Sequence, residues 1–550
     1  MTKTTAIVLG VYVAAAALLL ALLPAAGFFS GDEGVKFIQL RSLAENGFAS
    51  SAIIWRGDEL GLDRRYAVVE RFVELRGGEL YSPHPLLFAL ASAPGWLLFG
   101  FRGLYLLPLL AGGTAVWLTT RLARGFGVRR PWLAGAVVAF ASPLFFYSLC
   151  FWEHTAAVAL WLGGFALLRR RTIPRLALAG GLWGLGAALR PEFYWLAAAS
   201  VAALFVFHRG ERLRTAAWPA AACAVTALGL ELVIQAGWGQ PAFMRLGANL
   251  AYGGPRGASG FLYAVGHSLL PLRPWYLAAA AAAVALVAAL GIRWRPGVYV
   301  AAGGAGALAL LYATFFAGYA TALFAAFPAV FGFVFLAGAG GREAFRGASP
   351  VEQSWYAAAA AFAATLFLVV PDTSGFAWGP RFLLCVIPPA AVALARLAGG
   401  GREGRGRAAA VGVLVVLSAL TQLPGLDRFA SEKGARADLG AALASLPAAP
   451  LVTNKWYLPA YAAPLYLERA VILVTAEEDL SRVWSRLKGA GAPRAYFVTE
   501  LPPAPAERGE YVLGLTTALA READVADVKF LGREGRRYGL PYAVFALRLR

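Results

Sequence analysis

The sequence predicts a polytopic α-helical membrane protein followed by a small α/β domain, on three observations. Hydrophobic residues make up 59% of the chain and charged residues only 15%, where an average soluble domain is about 25% charged. Apolar runs of about 17 to 25 residues, the length that crosses a bilayer, recur up to residue 423 between short arginine-rich or Gly/Pro-rich breaks. Beyond residue 423 the long runs stop, and short buried-strand patterns alternate with helical ones.

The first run, 5–29, is expected to remain as an anchor. Leu23-Pro24-Ala25-Ala26-Gly27 supplies the small residues of a signal cleavage site, but cleavage would part the helix from the acids that follow it. The net charge of +19 would suggest nucleic acid in a soluble protein, yet the arginines lie in the breaks 121–130, 169–175, 209–214, 293–295, 342–346 and 402–407. Short cationic loops between spans face the cytoplasm, so the charge needs no nucleic-acid partner. Threading the chain through these loops gives about thirteen transmembrane helices. They are expected at 5–29, 103–120, 131–149, 155–168, 175–190, 191–207, 215–236, 275–292, 297–316, 319–339, 353–370, 381–398 and 408–423. The apolar segment 85–101 would put the 121–130 loop on the wrong side if it crossed. It is therefore assigned as a juxtamembrane or re-entrant helix of a long outer loop, 30–102. In the same loop 35–45 sets Val35, Ile38 and Leu43 beside Lys36, Gln39 and Arg41, the pattern of a short helix lying in the interface. Cys150, Cys223 and Cys385 are far apart in or beside apolar runs, which suits small core residues and implies no disulfide.

The outer ends of the spans collect the unusual polar residues. Asp32 and Glu33 follow the first run directly, and acids where a helix meets the membrane surface are costly enough to desolvate that they mark a candidate site. The plainer alternative is that one of them caps a short helix while the other is solvated. Lys36 stands nearby and is, apart from Lys3, the only lysine before Lys433. His84 lies between two prolines, where a structural role is common. Glu153 and His154 sit between two spans with no arginine beside them in sequence, and could simply start a helix. Arg190 and Glu192 flank a proline that opens the next span and could be an ion pair that fixes packing. Arg381 begins a late span and could snorkel to lipid headgroups. The convergence of acids and cations on one face favours a functional reading.

Gly31-Asp32-Glu33 after the first span, the acid in the second outer loop, the Leu189-Arg190-Pro191-Glu192 turn and Trp378-Gly379-Pro380-Arg381-Phe382-Leu383-Leu384 together resemble the GT-C superfamily of polyprenyl-phosphate-sugar-dependent glycosyltransferases. Within it the likeness is to the lipid A aminoarabinose transferase and protein O-mannosyltransferase branch, over roughly residues 5–423. The resemblance implies a GT-C-like transmembrane domain, 1–423, in a bacterial-type inner (plasma) membrane with its active site outside the cytoplasm. It implies transfer of a sugar from a polyprenyl-phosphate carrier to the hydroxyl of a glycan, glycolipid or protein acceptor, with inversion at the anomeric carbon. Asp32 matches the family's base, with Glu33 beside it. Lys36 and Arg381, and with them Arg190, match cations that favour a leaving phosphate, while His84 stands where relatives often carry a basic residue. Relatives also use a second outer-loop acid to hold a divalent metal ion or orient substrate. Carried over, that role falls to Asp32, Glu153 and His154, with Glu192 on the substrate side; glutamate at 153 departs from the more usual aspartate.

The glycine-rich stretch Gly253-Gly254-Pro255-Arg256-Gly257 lacks the P-loop pattern, so no nucleotide cofactor is expected, and by analogy it reads as a cover over the lipid-sugar site. The C-terminal part, 424–550, is expected as an extracytoplasmic α/β domain. Its strands would be 450–453, 470–475 and 494–499 with helices around 457–466 and 477–487, its sheet partly parallel and closed by 542–549. A transporter or lipid-linked-sugar flippase is the rival class, but it would carry inverted repeats and charge near the midplane, and the sequence displays neither.

Overall fold

The computed structural model describes residues 2–68, 72–244, 246–247, 345, 347–369, 381–398, 411–412, 415–416, 418–420, 422–502, 505–521, 523–531 and 541–549. The expected spans 275–292, 297–316 and 319–339, the glycine-rich stretch 253–257 and residues 371–380 lie outside these. The chain forms two compact units, one of Met1–Leu20, Tyr105–Leu232 and Asn249–Asp427, the other of Ala21–Leu104, Val233–Ala248 and Arg428–Arg550.

The first unit is helical. Lys3–Leu22, Leu106–Gly125, Pro131–Phe140, His154–Leu167, Ile173–Leu189, Glu192–Phe207, Pro350–Val369 and Ile387–Ala398 are its main described helices. His154–Leu167 packs on both Leu106–Gly125 and Ile173–Leu189, and Glu192–Phe207 packs on Pro350–Val369. Small residues permit this approach, as expected where close packing rather than apolar burial drives helix association. A Cβ on Gly164 would stand 2.2 Å from the Trp183 indole, and one on Gly180 2.1 Å from the Pro219 carbonyl.

Among the described residues, Lys3–Leu22, Leu86–Gly125, Arg212–Trp238 and Arg381–Ala398 contain runs long and apolar enough to cross a membrane, while Pro131–Phe140, His154–Leu167, Ile173–Leu189 and Glu192–Phe207 are shorter apolar helices. The segment expected at 131–149 is broken into Pro131–Phe140 and Leu144–Tyr147. Pro143 has no N–H to continue the ladder, and Ser142 Oγ takes up the break by donating to Val138 C=O at 2.7 Å and accepting from Leu144 N–H at 3.2 Å.

The second unit joins the long loop after the first helix to the C-terminal residues. Its helix Gly31–Glu45 starts at an N-cap, Ser30, and is buried through Glu33–Leu40 and again at Ser42 and Leu43. A helix lying in the interface was expected here. Instead it packs between Leu86–Phe99 and the short helices Leu458–Tyr461 and Ala463–Tyr466. Gly34 makes this possible, because a Cβ there would sit 1.8 Å from the Ala460 carbonyl oxygen.

The hairpin β1 (Glu74–Arg76) and β2 (Glu79–Tyr81) turns through Gly77 and Gly78 at φ of +58° and +85°, the left-handed pair a tight hairpin turn requires. The main sheet has five strands in the order β4-β3-β5-β7-β6: β3 Leu451–Thr453, β4 Val471–Leu473, β5 Arg494–Glu500, β6 Asp524–Leu531 and β7 Tyr542–Arg548. β3 runs parallel to β4 and β5, whereas β7 is antiparallel to β5 and β6. The expected strands and the closing segment are present. β6 and the helix Pro505–Ala520 were not anticipated, since all eight β6 positions are half-buried or exposed, among them Asp524, Asp527 and Lys529.

Candidate active site

The acid pair separates as soon as its helix forms. Ser30 Oγ accepts from the Glu33 N–H at 3.4 Å, and the Glu33 carboxylate reaches back to accept from the Phe29 N–H. This reciprocal arrangement is close to a capping box, and it buries Glu33 completely. The neighbouring position points elsewhere: the Asp32 side chain keeps 27% of its surface exposed, and its Oδ1 lies 4.0 Å from His84 Nε2. Lys36 follows one turn later, on the same helix face as Asp32, buried with its ammonium 5.8 Å from the Phe88 ring centre.

His84 is placed by its backbone. Its carbonyl accepts from Gln39 Nε2 at 3.2 Å and Gln240 Nε2 at 3.4 Å, its N–H donates to Ser82 Oγ at 3.2 Å, and Gln240 also holds the Ser82 carbonyl at 2.9 Å. Prolines on both sides limit the loop further. The histidine that looked structural in sequence is thus positioned structurally, with its ring turned to the exposed acid.

A charged stripe unrecognised in the sequence lies next to this motif. Arg428, Glu432, Lys433 and Arg436 are spaced by about a helical turn on Gln422–Ala444 and are all nearly inaccessible. Arg436 donates to the Phe28 carbonyl and to the Tyr461 hydroxyl, each at 3.1 Å, and pairs with Glu432 at 2.9 Å. Its guanidinium lies 4.1 Å from the Tyr461 ring centre. Burial pushes the Tyr461 hydroxyl up; Arg436 opposes this, and the carboxylates of Glu432 and Asp32 add to it, so Tyr461 stays neutral. The i, i+4 spacing of the stripe was legible, but such spacing ordinarily marks a solvated face.

The remaining expected residues cluster in the other unit. Arg190 donates through Nη1 to Glu153 at 3.0 Å and through Nε to Glu192 at 2.6 Å, and all three are buried. One guanidinium thereby ties the loop before His154–Leu167 to the turn before Glu192–Phe207. The Phe382 ring carries Arg381 at 4.8 Å and Arg190 at 5.5 Å, which brings Arg381 into the same cluster. The His154 ring sits 5.0 Å from both Tyr147 and Trp152. Among the described residues no group of three or more His, Cys, Asp or Glu side chains could hold a metal ion. Of the expected metal set Asp32, Glu153 and His154, Glu153 is instead engaged by Arg190.

No protein-family profile matches the chain, and no curated protein does. Solved structures do. ArnT from Cupriavidus metallidurans bound to undecaprenyl phosphate is 13% identical, with a TM-score of 0.56 over 99% of this chain and 98% of that one. The apo state of the same protein gives 0.54 at 13% identity over 98% and 97%. The Archaeoglobus fulgidus oligosaccharyltransferase tethered with an acceptor peptide containing the NVT sequon gives 0.50 at 14% identity, over 90% of this chain and 69% of that chain. At such identities the likeness is one of fold, and for the two ArnT structures it extends over nearly the whole chain.

Proposed function

We propose that this chain is a membrane glycosyltransferase that moves a sugar from a polyprenyl-phosphate carrier to an acceptor hydroxyl, with inversion, at the extracytoplasmic face of an inner membrane. About thirteen spans and a C-terminal domain at 424–550 that serves acceptor recognition belong to this reading. The observation that carries it is the division of labour between adjacent acids: Glu33 is spent on the helix cap, while Asp32 stays accessible beside His84.

Asp32 removes the proton of the acceptor hydroxyl as its oxygen bonds to the anomeric carbon. The bond from that carbon to the phosphate oxygen breaks, and its electron pair leaves with the lipid phosphate. A single displacement of this kind inverts the centre. Charge gathering on the phosphate is favoured by fixed cations; Lys36, Arg428 and Arg436 are assigned that role within the unit of Asp32, and Arg381 is assigned to donor binding. Arg190 is matched by two acids and is assigned to holding its loops. The solved relative bound to undecaprenyl phosphate supports a lipid-phosphate donor.

Asp32→Asn keeps the side-chain shape and removes the base. Transfer of sugar from a polyprenyl-phosphate donor by purified protein is expected to fall about 10²- to 10⁴-fold, with undecaprenyl phosphate binding retained. Undiminished transfer by this variant overturns the assignment.

A further inference from the structure

We infer that the acceptor is a saccharide and that its ring stacks on Trp456. The inference deepens the glycosyltransferase reading and rests on it. Trp456 stays 52% exposed although it follows the buried strand β3 by only a few residues. Its indole stacks on Phe72 with ring centres 5.6 Å apart and planes 9° from parallel. Phe72 in turn lies 6.0 Å from the His84 ring, whose Nε2 is 4.0 Å from Asp32. A line of ring contacts therefore leads from an open aromatic face to the exposed carboxylate. Tyr457 stands edge-on to Trp456 at 5.5 Å and continues to Tyr461 at 5.2 Å. The Tyr457 hydroxyl is buried without a hydrogen-bond partner among the described residues, a state that natural structures seldom leave unused.

The surroundings of Trp456 decide between occupants. A tryptophan kept for the lipid interface is flanked by apolar surface. Here the neighbours in sequence are exposed Asn454, whose Oδ1 accepts from Thr499 Oγ1 at 2.8 Å, and half-buried Lys455. Lys455 offsets the effect of burial, which pushes the Glu500 carboxyl up. A flat aromatic face that the chain precedes with an amide and an ammonium, Asn454 and Lys455, matches a pyranose: its axial C–H face packs on the electron-rich ring, and its equatorial hydroxyls meet polar groups beside it.

The test is saturation-transfer NMR on the full-length protein in detergent, with cellotriose and triacetylchitotriose as probes and undecaprenyl phosphate binding measured in parallel. Both or either sugar is expected to show contacts along one C–H face, weakened about threefold to tenfold in Trp456→Ala and restored in Trp456→Phe. Silent sugars, or sugars bound equally by Trp456→Ala, overturn the saccharide platform while leaving the donor reading intact. A Ser/Thr peptide bound in a Trp456-dependent way with silent sugars, or quenching of Trp456 fluorescence by brominated lipid, overturns it in favour of a peptide or a lipid surface. Failure of the unmodified protein to bind undecaprenyl phosphate counts against the transferase reading instead, whatever the sugars do.

Discussion

Glu153 and Asp32 are both acids next to apolar helices, and both were singled out for the same reason, but the two units treat them oppositely. Glu153 is fully buried and held by Arg190, which also binds Glu192. Asp32 remains 27% exposed beside a histidine 4.0 Å away. A buried charge is tolerated when it is matched, and a matched charge is a poor base because its proton affinity is committed to its partner. On the proposed function the first cluster is architecture and the second supplies the base.

The sharpest way to break that comparison is Arg190→Leu. Removing the guanidinium leaves two buried acids uncompensated, and the expected cost is about 3–5 kcal/mol, read as a large fall in Tm of the detergent-solubilised protein. Replacing all three by apolar residues of similar size, Arg190→Met with Glu153→Leu and Glu192→Leu, should recover most of it. An unchanged Tm for Arg190→Leu means the cluster is not architectural. Next in size is Gly34→Ala, which sets a Cβ 1.8 Å from the Ala460 carbonyl and should cost roughly 1–3 kcal/mol. Faster proteolysis of the C-terminal residues is its expected signature. Gly10→Ala, where no atom lies within 4 Å, serves as its neutral control. Smallest is Glu33→Ala, which removes a cap and should cost about 1 kcal/mol. Transfer is expected to drop far less than in Asp32→Asn, and equal losses in the two would erase the distinction between cap and base.

Much of this arrangement was legible in the sequence. The apolar runs marked the helices of the first unit, and short buried segments marked β3, β4 and β5, because both signals are local and set by burial on a fixed period. The capping alternative for one of the acids was visible in Ser30 and Glu33, three residues apart. Other features were not. Gly31–Glu45 looked amphipathic and proved buried, since whether a polar residue faces solvent depends on what packs against it. Arg428, Lys433 and Arg436 were passed over, because nothing local sets them apart from an ordinary charged helix; only burial and the bonds from Arg436 to Phe28 and Tyr461 do so. The pairing of Arg190 with Glu153 was hidden by their separation of 37 positions in the chain.

By itself, then, the sequence determined the membrane class, the helix and strand inventory near the acids, and the short list from which a base could come, all properties written in composition, period and near-neighbour spacing. Tertiary structure alone decided what surrounds each acid, and it did so through contacts far apart in the chain: Arg190 reaches Glu153 at 3.0 Å, Trp55 donates to the Val471 carbonyl at 2.8 Å, Arg41 to the Pro464 carbonyl at 2.7 Å, and Arg436 to the Phe28 carbonyl. Such contacts leave no periodic trace, because they are chosen by shape and charge matching between surfaces that exist only after the local elements have formed.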